Sequence, residues 1–286
     1  MIDLKKITTA PDLTFDVMTC GAEHRPVVLL LHGFAESFHM WRPQMPALAA
    51  AGYRAVAPSQ RGYSPGARPD TREPANYGFD HLMNDALSIA AACGGAPGRF
   101  HVVGHDWGGS IAWGIADRWP DRVASLTVLS RPHPNAFNRA LAAPDGEQKR
   151  RSSHHWWFLE ADATARILAD DVRWLRERLS ANKMPEAAIA ETIGVLGNPS
   201  TMEAALTWYR ARGAIRSPIG AINVPTLFIW GNADDTVGRM AAEGTEEFVA
   251  APYQFVELPA VGHFAVHQAP DRVTALLLAH LSAHPA

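Results

Sequence analysis

Cysteine is nearly absent. Cys20 and Cys93 are the only two among 286 residues, too few for a disulfide framework or a cysteine-based zinc site. Long apolar runs are missing as well; none approaches the ~18 residues that a membrane-spanning helix needs. The opening stretch MIDLKKITTA has no apolar core of signal-peptide length, so a cytoplasmic location is expected. An excess of one charge is also lacking. Lys and Arg number 26 against 29 Asp and Glu, which leaves no basic surface for nucleic acid or an anionic membrane. No HExxH motif and no phosphate-binding glycine loop occurs, and nothing calls for a metal or an organic cofactor.

What is present is apolar material: hydrophobic residues are 47% and charged residues 19%, enough for a large buried core and against disorder. Short apolar runs alternate with helical patterns. Pro26–Leu31, Tyr53–Pro58, Phe100–Val103 and Val123–Leu129 have the length and β-branched content of strands buried on both faces. Met40–Ala51, Asp80–Ala92 and Trp107–Trp119 between them repeat apolar residues at helical spacing. That alternation predicts a mostly parallel sheet flanked by helices, an α/β fold. Ile2–Ile7 and Leu13–Met18 are expected to form a leading antiparallel hairpin.

After Arg131-Pro132-His133-Pro134 the texture changes. The stretch 132–217 is helical in pattern and contains Trp156, Trp157, Trp174 and Trp208. Strand patterns resume at Thr226–Trp230 and Gln254–Leu258, with helices near Arg239–Val249 and Asp271–Ala283. The expected organisation is a core of 1–131 and 218–286 with a helical lid, 132–217, inserted between. Such a lid would cover the carboxyl ends of the strands, where ligands bind in open α/β sheets. Arg131, Arg139, Arg150 and Arg151 near its start are read as a solvated face.

The strongest local signal is Gly104-His105-Asp106-Trp107-Gly108-Gly109, directly after a strand and before a helix. This is a nucleophile elbow with Asp where Ser usually stands. The turn is so sharp that residues two before and two after must be small. The helix that follows aims its N-terminus at the site and favours an anion there.

With this elbow, His32-Gly33-Phe34 with Glu36-Ser37 and Trp41, Arg61-Gly62-Tyr63-Ser64, Gly231-Asn232-Ala233-Asp234 and Gly262-His263, the chain resembles the aspartate-nucleophile branch of the α/β-hydrolase fold, with an inserted helical cap. The branch comprises epoxide hydrolases and hydrolytic dehalogenases. HGFAESFHMW and GHDWGGSIAW are most similar to epoxide hydrolases. The order Asp106, Asp234, His263 matches nucleophile, acid and base of that fold. The resemblance implies attack by Asp106 on a saturated carbon, then hydrolysis of the resulting ester by water activated by His263, which Asp234 orients. It places the backbone oxyanion donors at Phe34 and Trp107. Proline usually follows His-Gly-Phe in the family; here the residue is Ala35.

The lid separates the substrates. Epoxide hydrolases use two lid tyrosines to protonate the departing alkoxide, and Tyr209 resembles the second. At the place of the first stands His154. His155-Trp156 together with Tyr209 resembles the halide cradle of haloacetate dehalogenases. Their two carboxylate-clamping arginines, one and four residues after the nucleophile, are Trp107 and Ser110 here. The expected function is hydrolysis of a small apolar epoxide to a vicinal diol, with His154, His155 and Trp156 as substrate contacts. The alternatives are a hydrolytic dehalogenase of a small organohalide on the same nucleophile, and a non-catalytic ligand-binding protein on the same scaffold.

Overall fold

All eight runs read as strands pair into one sheet in the computed structural model, which describes residues 1–95, 98–214 and 218–286. The strands are β1 (Asp3–Ala10), β2 (Leu13–Cys20), β3 (Val27–Leu31), β4 (Arg54–Pro58), β5 (Phe100–His105), β6 (Val123–Leu129), β7 (Thr226–Gly231) and β8 (Tyr253–Leu258). Their spatial order is β1-β2-β4-β3-β5-β6-β7-β8. β2 runs antiparallel to β1 and β4, and the remaining neighbours are parallel.

Three core helices precede the sheet's midpoint in the chain: α1 (Met45–Ala50), α2 (Phe79–Ala90) and α3 (Trp107–Arg118). The single helix expected over Met40–Ala51 is instead a 3-10 turn, Phe38–Trp41, followed by the short α1. Pro43 lies between them and Pro46 stands in the first turn of α1, and proline cannot supply a ladder N–H. Between β6 and β7 come α4 (Pro134–Leu141), α5 (Glu147–Arg151), α6 (His154–Trp157), α7 (Ala163–Ala181), α8 (Glu186–Leu196) and α9 (Pro199–Arg210). No strand occurs in this insert among the described residues. The lid's expected end at 217 falls on 215–217, outside the described residues. After β7 follow α10 (Arg239–Glu243), α11 (Ala265–Gln268) and α12 (Pro270–Ala283). No described helix is long and apolar enough to cross a membrane.

Residues of β3 alternate between two apolar layers. Val27, Leu29 and Leu31 join the cluster containing α2 and α3, whereas Val28 and Leu30 join that of α1 and α12. Covered on both faces, the central strands have no polar side to show, which is why they read as unbroken apolar runs. β3 lies between β4 and β5, so the strand order reverses there. The carboxyl ends at such a reversal open into a crevice. Leu31 pairs with Gly104, so the loop after β3 and the turn after β5 emerge side by side.

The insert docks on the core through α9. Asn198 caps it, its side chain accepting from the N–H groups of Ser200 and Thr201, with Pro199 in the first turn. Trp208 Nε1 donates to the carbonyl of Arg61 (3.0 Å), and Arg68 Nη2 donates to Thr201 Oγ1 (2.7 Å). Arg61 is itself fixed by a buried two-point pair with Asp85 of α2, Nε to Oδ2 at 2.6 Å and Nη2 to Oδ1 at 2.8 Å. Removing one partner of such a pair strands a buried charge. Asp85→Ala is therefore expected to lower stability by about 3–5 kcal/mol in denaturant titrations; a loss under about 1 kcal/mol, the range of an exposed pair, would show that Arg61 does not depend on Asp85.

Candidate active site

β5 ends at His105, and the chain turns into α3 through Asp106 with φ 49° and ψ −117°. A non-glycine residue there is strained by roughly 1–3 kcal/mol and persists only when its surroundings impose it. The imposing contacts are backbone to backbone. A Cβ on Gly104 would lie 2.2 Å from the carbonyl oxygen of Gly108, and a Cβ on Gly108 2.2 Å from that of Leu31. The small residues read from the sequence are thus set by direct collision.

The loop after β3 meets this turn. The Phe34 N–H donates to Asp106 Oδ1 at 3.0 Å, and the Phe34–Ala35 peptide bond is cis. Trp107 is the first residue of α3, so its N–H lies outside the intrahelical ladder. On the other carboxylate oxygen, Oδ2, the neighbour is His263 Nε2 at 3.7 Å. His263 Nδ1 faces Asp234 Oδ2 at 3.0 Å and Oδ1 at 3.2 Å. Asp234 Oδ1 also accepts from the N–H groups of Thr236 (2.7 Å) and Val237 (2.9 Å), which fix it at the end of β7. The adjoining Asp235 turns to the insert, toward Asn182 Nδ2 at 3.3 Å and Arg178 Nη1 at 3.5 Å.

Charge is distributed to match. Burial alone pushes Asp106 up, but His263, His105, Arg131 and the Phe34 N–H outweigh it and hold the carboxyl below its usual range. Burial likewise opposes charge on His263, and Asp234, Asp106 and Asp235 together raise it above the usual imidazole value. His105, adjoining the turn, contacts the backbone carbonyl of His263 through Nε2 at 2.9 Å. Burial depresses it to about 4, so it is neutral near pH 7 and donates there, tying the histidine loop to the elbow. Only the approach of the β8–α11 loop to β5 reveals this contact of His105.

The lid residues separate by helix phase. A cavity of about 10 Å³, with room for about one water, is lined by Asp106, His263, Phe34, His154, Phe158 and Tyr209 among others. A second, outer cleft of about 370 Å³ is lined by His155, Trp156, Leu159, Tyr209, Leu141 and Arg212 among others. His154 and Phe158 are four apart and face inward; His155 and Leu159 are also four apart and face the cleft. One residue turns a helix by about 100°, and the adjacent His154 and His155 face different spaces. The expected contacts therefore part company. His154 is brought to Asp106, whereas Trp156 is not: it is 66% exposed on the cleft's rim. Tyr209 borders both spaces. Its ring is boxed edge-on by Phe34, Trp107 and Phe158 at centroid distances of 5.8, 5.2 and 5.0 Å. Burial first, and then the Asp106 charge, raise its hydroxyl far above the usual value, so the phenol keeps its proton.

Two arginines were missed. Arg131, expected on a solvated face, is partly buried; its Nε donates to Ser110 Oγ at 2.8 Å and its guanidinium lies 4.6 Å from the Phe137 ring centroid. The reason is α3: Ser110, four residues past Asp106, faces the end of β6. Arg212 stacks 5.1 Å from the ring centroid of Trp107 and 4.9 Å from that of Tyr209. No pattern in the sequence marks it, because its place depends on where α9 ends. Among the described residues, no group of three or more His, Cys, Asp or Glu could hold a metal.

Comparison with known proteins agrees with this architecture. Residues 26–270 match the family model described as alpha/beta hydrolase fold. The AB hydrolase superfamily protein YfhM of Bacillus subtilis is 28% identical, over 94% of each chain. Epoxide hydrolase A of Mycobacterium tuberculosis is 29% identical over 93% of each. The crystal structure of epoxide hydrolase A from Mycobacterium thermoresistibile superposes with a TM-score of 0.83 at 26% identity, over 99% of this chain and 98% of that one. With the sheet order, the elbow and a family match spanning β3 to the start of α12, the chain belongs to the α/β hydrolase fold family, as an enzyme similar to epoxide hydrolases over nearly its whole length.

Proposed function

We propose that this enzyme hydrolyses an epoxide to a vicinal diol through a covalent ester on Asp106. The observation that carries this reading is the unequal treatment of the two Asp106 oxygens. Oδ1 already accepts the Phe34 N–H, while Oδ2 has His263 Nε2 as its neighbour, and Asp106 lines a cavity with His263, His154 and Tyr209. Oδ2 attacks a ring carbon, the carbon–oxygen bond of the epoxide breaks, and the alkoxide takes the Tyr209 proton. His154 is the second donor. Burial and then Arg178 depress it to about 4, so near pH 7 it is a neutral imidazole with one N–H to give. A water then loses its proton to His263 Nε2 and attacks Cγ of Asp106. The oxyanion forms at Oδ1, where the Phe34 N–H stands and where the Trp107 N–H is its natural second donor. Collapse releases the diol, and the proton on His263 restores Tyr209.

Similarity to proteins named epoxide hydrolases along nearly the full length supports the same choice. The dehalogenase alternative gains nothing from the lid, since Trp156 points away from the cavity that holds Asp106.

The decisive experiment is intact mass of His263→Gln after incubation with styrene oxide, with chloroacetate and with a chloroalkane. The expected result is an adduct of the whole epoxide mass, absent in Asp106→Ala, which is itself inactive. An adduct from the halides alone would overturn the reading. In single-turnover kinetics, Tyr209→Phe is expected to slow ester formation by about 10²–10⁴-fold, the usual worth of a general acid, with His154→Ala acting on the same step. Slower ester hydrolysis with unchanged formation would remove both from the acid role. By NMR titration His263 is expected to lose its proton above the ordinary 6.5. Because neighbouring carboxylates favour its charged form, Asp106→Asn should lower that midpoint. Ester hydrolysis should fail as pH drops, since only neutral imidazole accepts a proton; a midpoint unmoved by Asp106→Asn would show that the two groups are not coupled.

A further inference from the structure

The outer cleft is mostly apolar, with Leu141, Trp156 and Leu159 in its wall, yet a guanidinium stands in it. Arg210, in the same wall, is neutralised by Glu203. Arg212 is not: among the described residues no carboxylate lies within ion-pair distance of it, and none of the five undescribed residues, Ala96, Pro97, Ile215, Arg216 and Ser217, is acidic. Its hydrogen-bond partner is His155, whose Nδ1 lies 3.0 Å from Nη1 and accepts there. A guanidinium can only donate, so His155 is a neutral acceptor that orients it. The remaining N–H groups of Arg212 have no acceptor among the described residues. Arg131 repeats the pattern: among the described residues Ser110 is its one side-chain acceptor and no carboxylate is in contact. The two cations repel each other, and Asp106 is the acidic side chain that attracts both.

A charge withdrawn from water without a partner is costly. On the mechanism proposed above, the cost rises during turnover, because the ester removes the negative charge of Asp106 while both arginines stay. An anion brought by the substrate would offset this. The planar fork of Arg212 fits a carboxylate at two points, and Tyr209, which borders both spaces, puts that anion next to the reacting centre. We propose that the outer cleft holds a carboxylate of the substrate on Arg212, with Arg131 adding to the attraction, so that the preferred epoxides are acids with an apolar spacer. This rests on the epoxide reading for its reaction but not for its anion site.

The test uses terminal epoxyalkanoic acids of graded chain length, each beside its methyl ester, with styrene oxide as the neutral reference. For at least one length, kcat/KM of the acid is expected to exceed that of the ester by about 10- to 100-fold, the worth of a charge-assisted hydrogen bond. Arg212→Gln should abolish that ratio, and Arg212→Lys should keep only part of it. Simple alkanoates should compete with styrene oxide in the wild-type enzyme and the matching amides should not, a readout that needs no variant to fold. Equal kcat/KM for acid and ester at every length would overturn the carboxylate site while leaving epoxide hydrolysis standing. So would an Arg212→Gln defect equal for acids and esters, which would place Arg212 on Tyr209 instead. Alkanoate binding, read by tryptophan fluorescence, without turnover of any epoxide would keep the anion site and refute the reaction.

Discussion

Asp106 holds a backbone conformation that an L-residue adopts only under compulsion, and the compulsion comes from the sheet. β3 and β5 are neighbours with Leu31 opposite Gly104. From that register, Gly108 meets the carbonyl of Leu31, and Gly33 lies so close to Asp106 that a Cβ there would sit 2.5 Å from its Cβ. Any slip of one strand against the other would part the Phe34 N–H from Oδ1. The apolar residues alternating to both faces of β3 keep the register, because a slip of one residue would exchange the faces they fill. The carboxylate's position is thus a consequence of core packing on both sides of the sheet.

The insert contributes in a different way. It is attached to the core through the chain Asp85–Arg61–Trp208, and Trp208 adjoins Tyr209. The same short segment of α9 therefore anchors the lid and carries the phenol. With room for about one water beside Asp106, the site is closed to a substrate in this state. The ring of Tyr209 is the partition shared with the larger cleft. Entry requires that ring, or the helix under it, to move, so on the proposed reaction the docking of α9 would govern both access and the supply of the proton.

The sheet and the elbow were legible because backbone geometry imposes both: strands buried on both faces must be apolar, and a collision two residues from Asp106 must be avoided; Asp234 and His263 were reached through the family resemblance. The structure brings Asp234 to His263 and turns the adjoining Asp235 toward Asn182. The lid was less legible. Whether His154 or His155 faces Asp106 is a matter of helix phase in a four-residue helix, and a short HHWW run carries no periodicity to fix it. Arg131 and Arg212 were invisible for a related reason. An arginine in a polar stretch looks solvated until the packing of the ring beneath it is known, Phe137 in one case and Trp107 with Tyr209 in the other.

The electrostatics are better suited to one half of the proposed reaction than the other. The Phe34 N–H and Arg131 stabilise negative charge on Asp106. That charge is present in the resting carboxylate, absent in the ester and present again in the tetrahedral intermediate. Donors aimed at it therefore lower the resting state and the hydrolytic transition state together, and leave the ester as the least favoured species. Ester formation pays for this with a calmer nucleophile, so the acid that assists ring opening has more to supply. A boxed, fully protonated Tyr209 with His154 beside it is the counterpart of an over-stabilised Asp106. A site tuned only for attack would have left both oxygens of Asp106 without donors, and would then have lacked the means to break the ester it made.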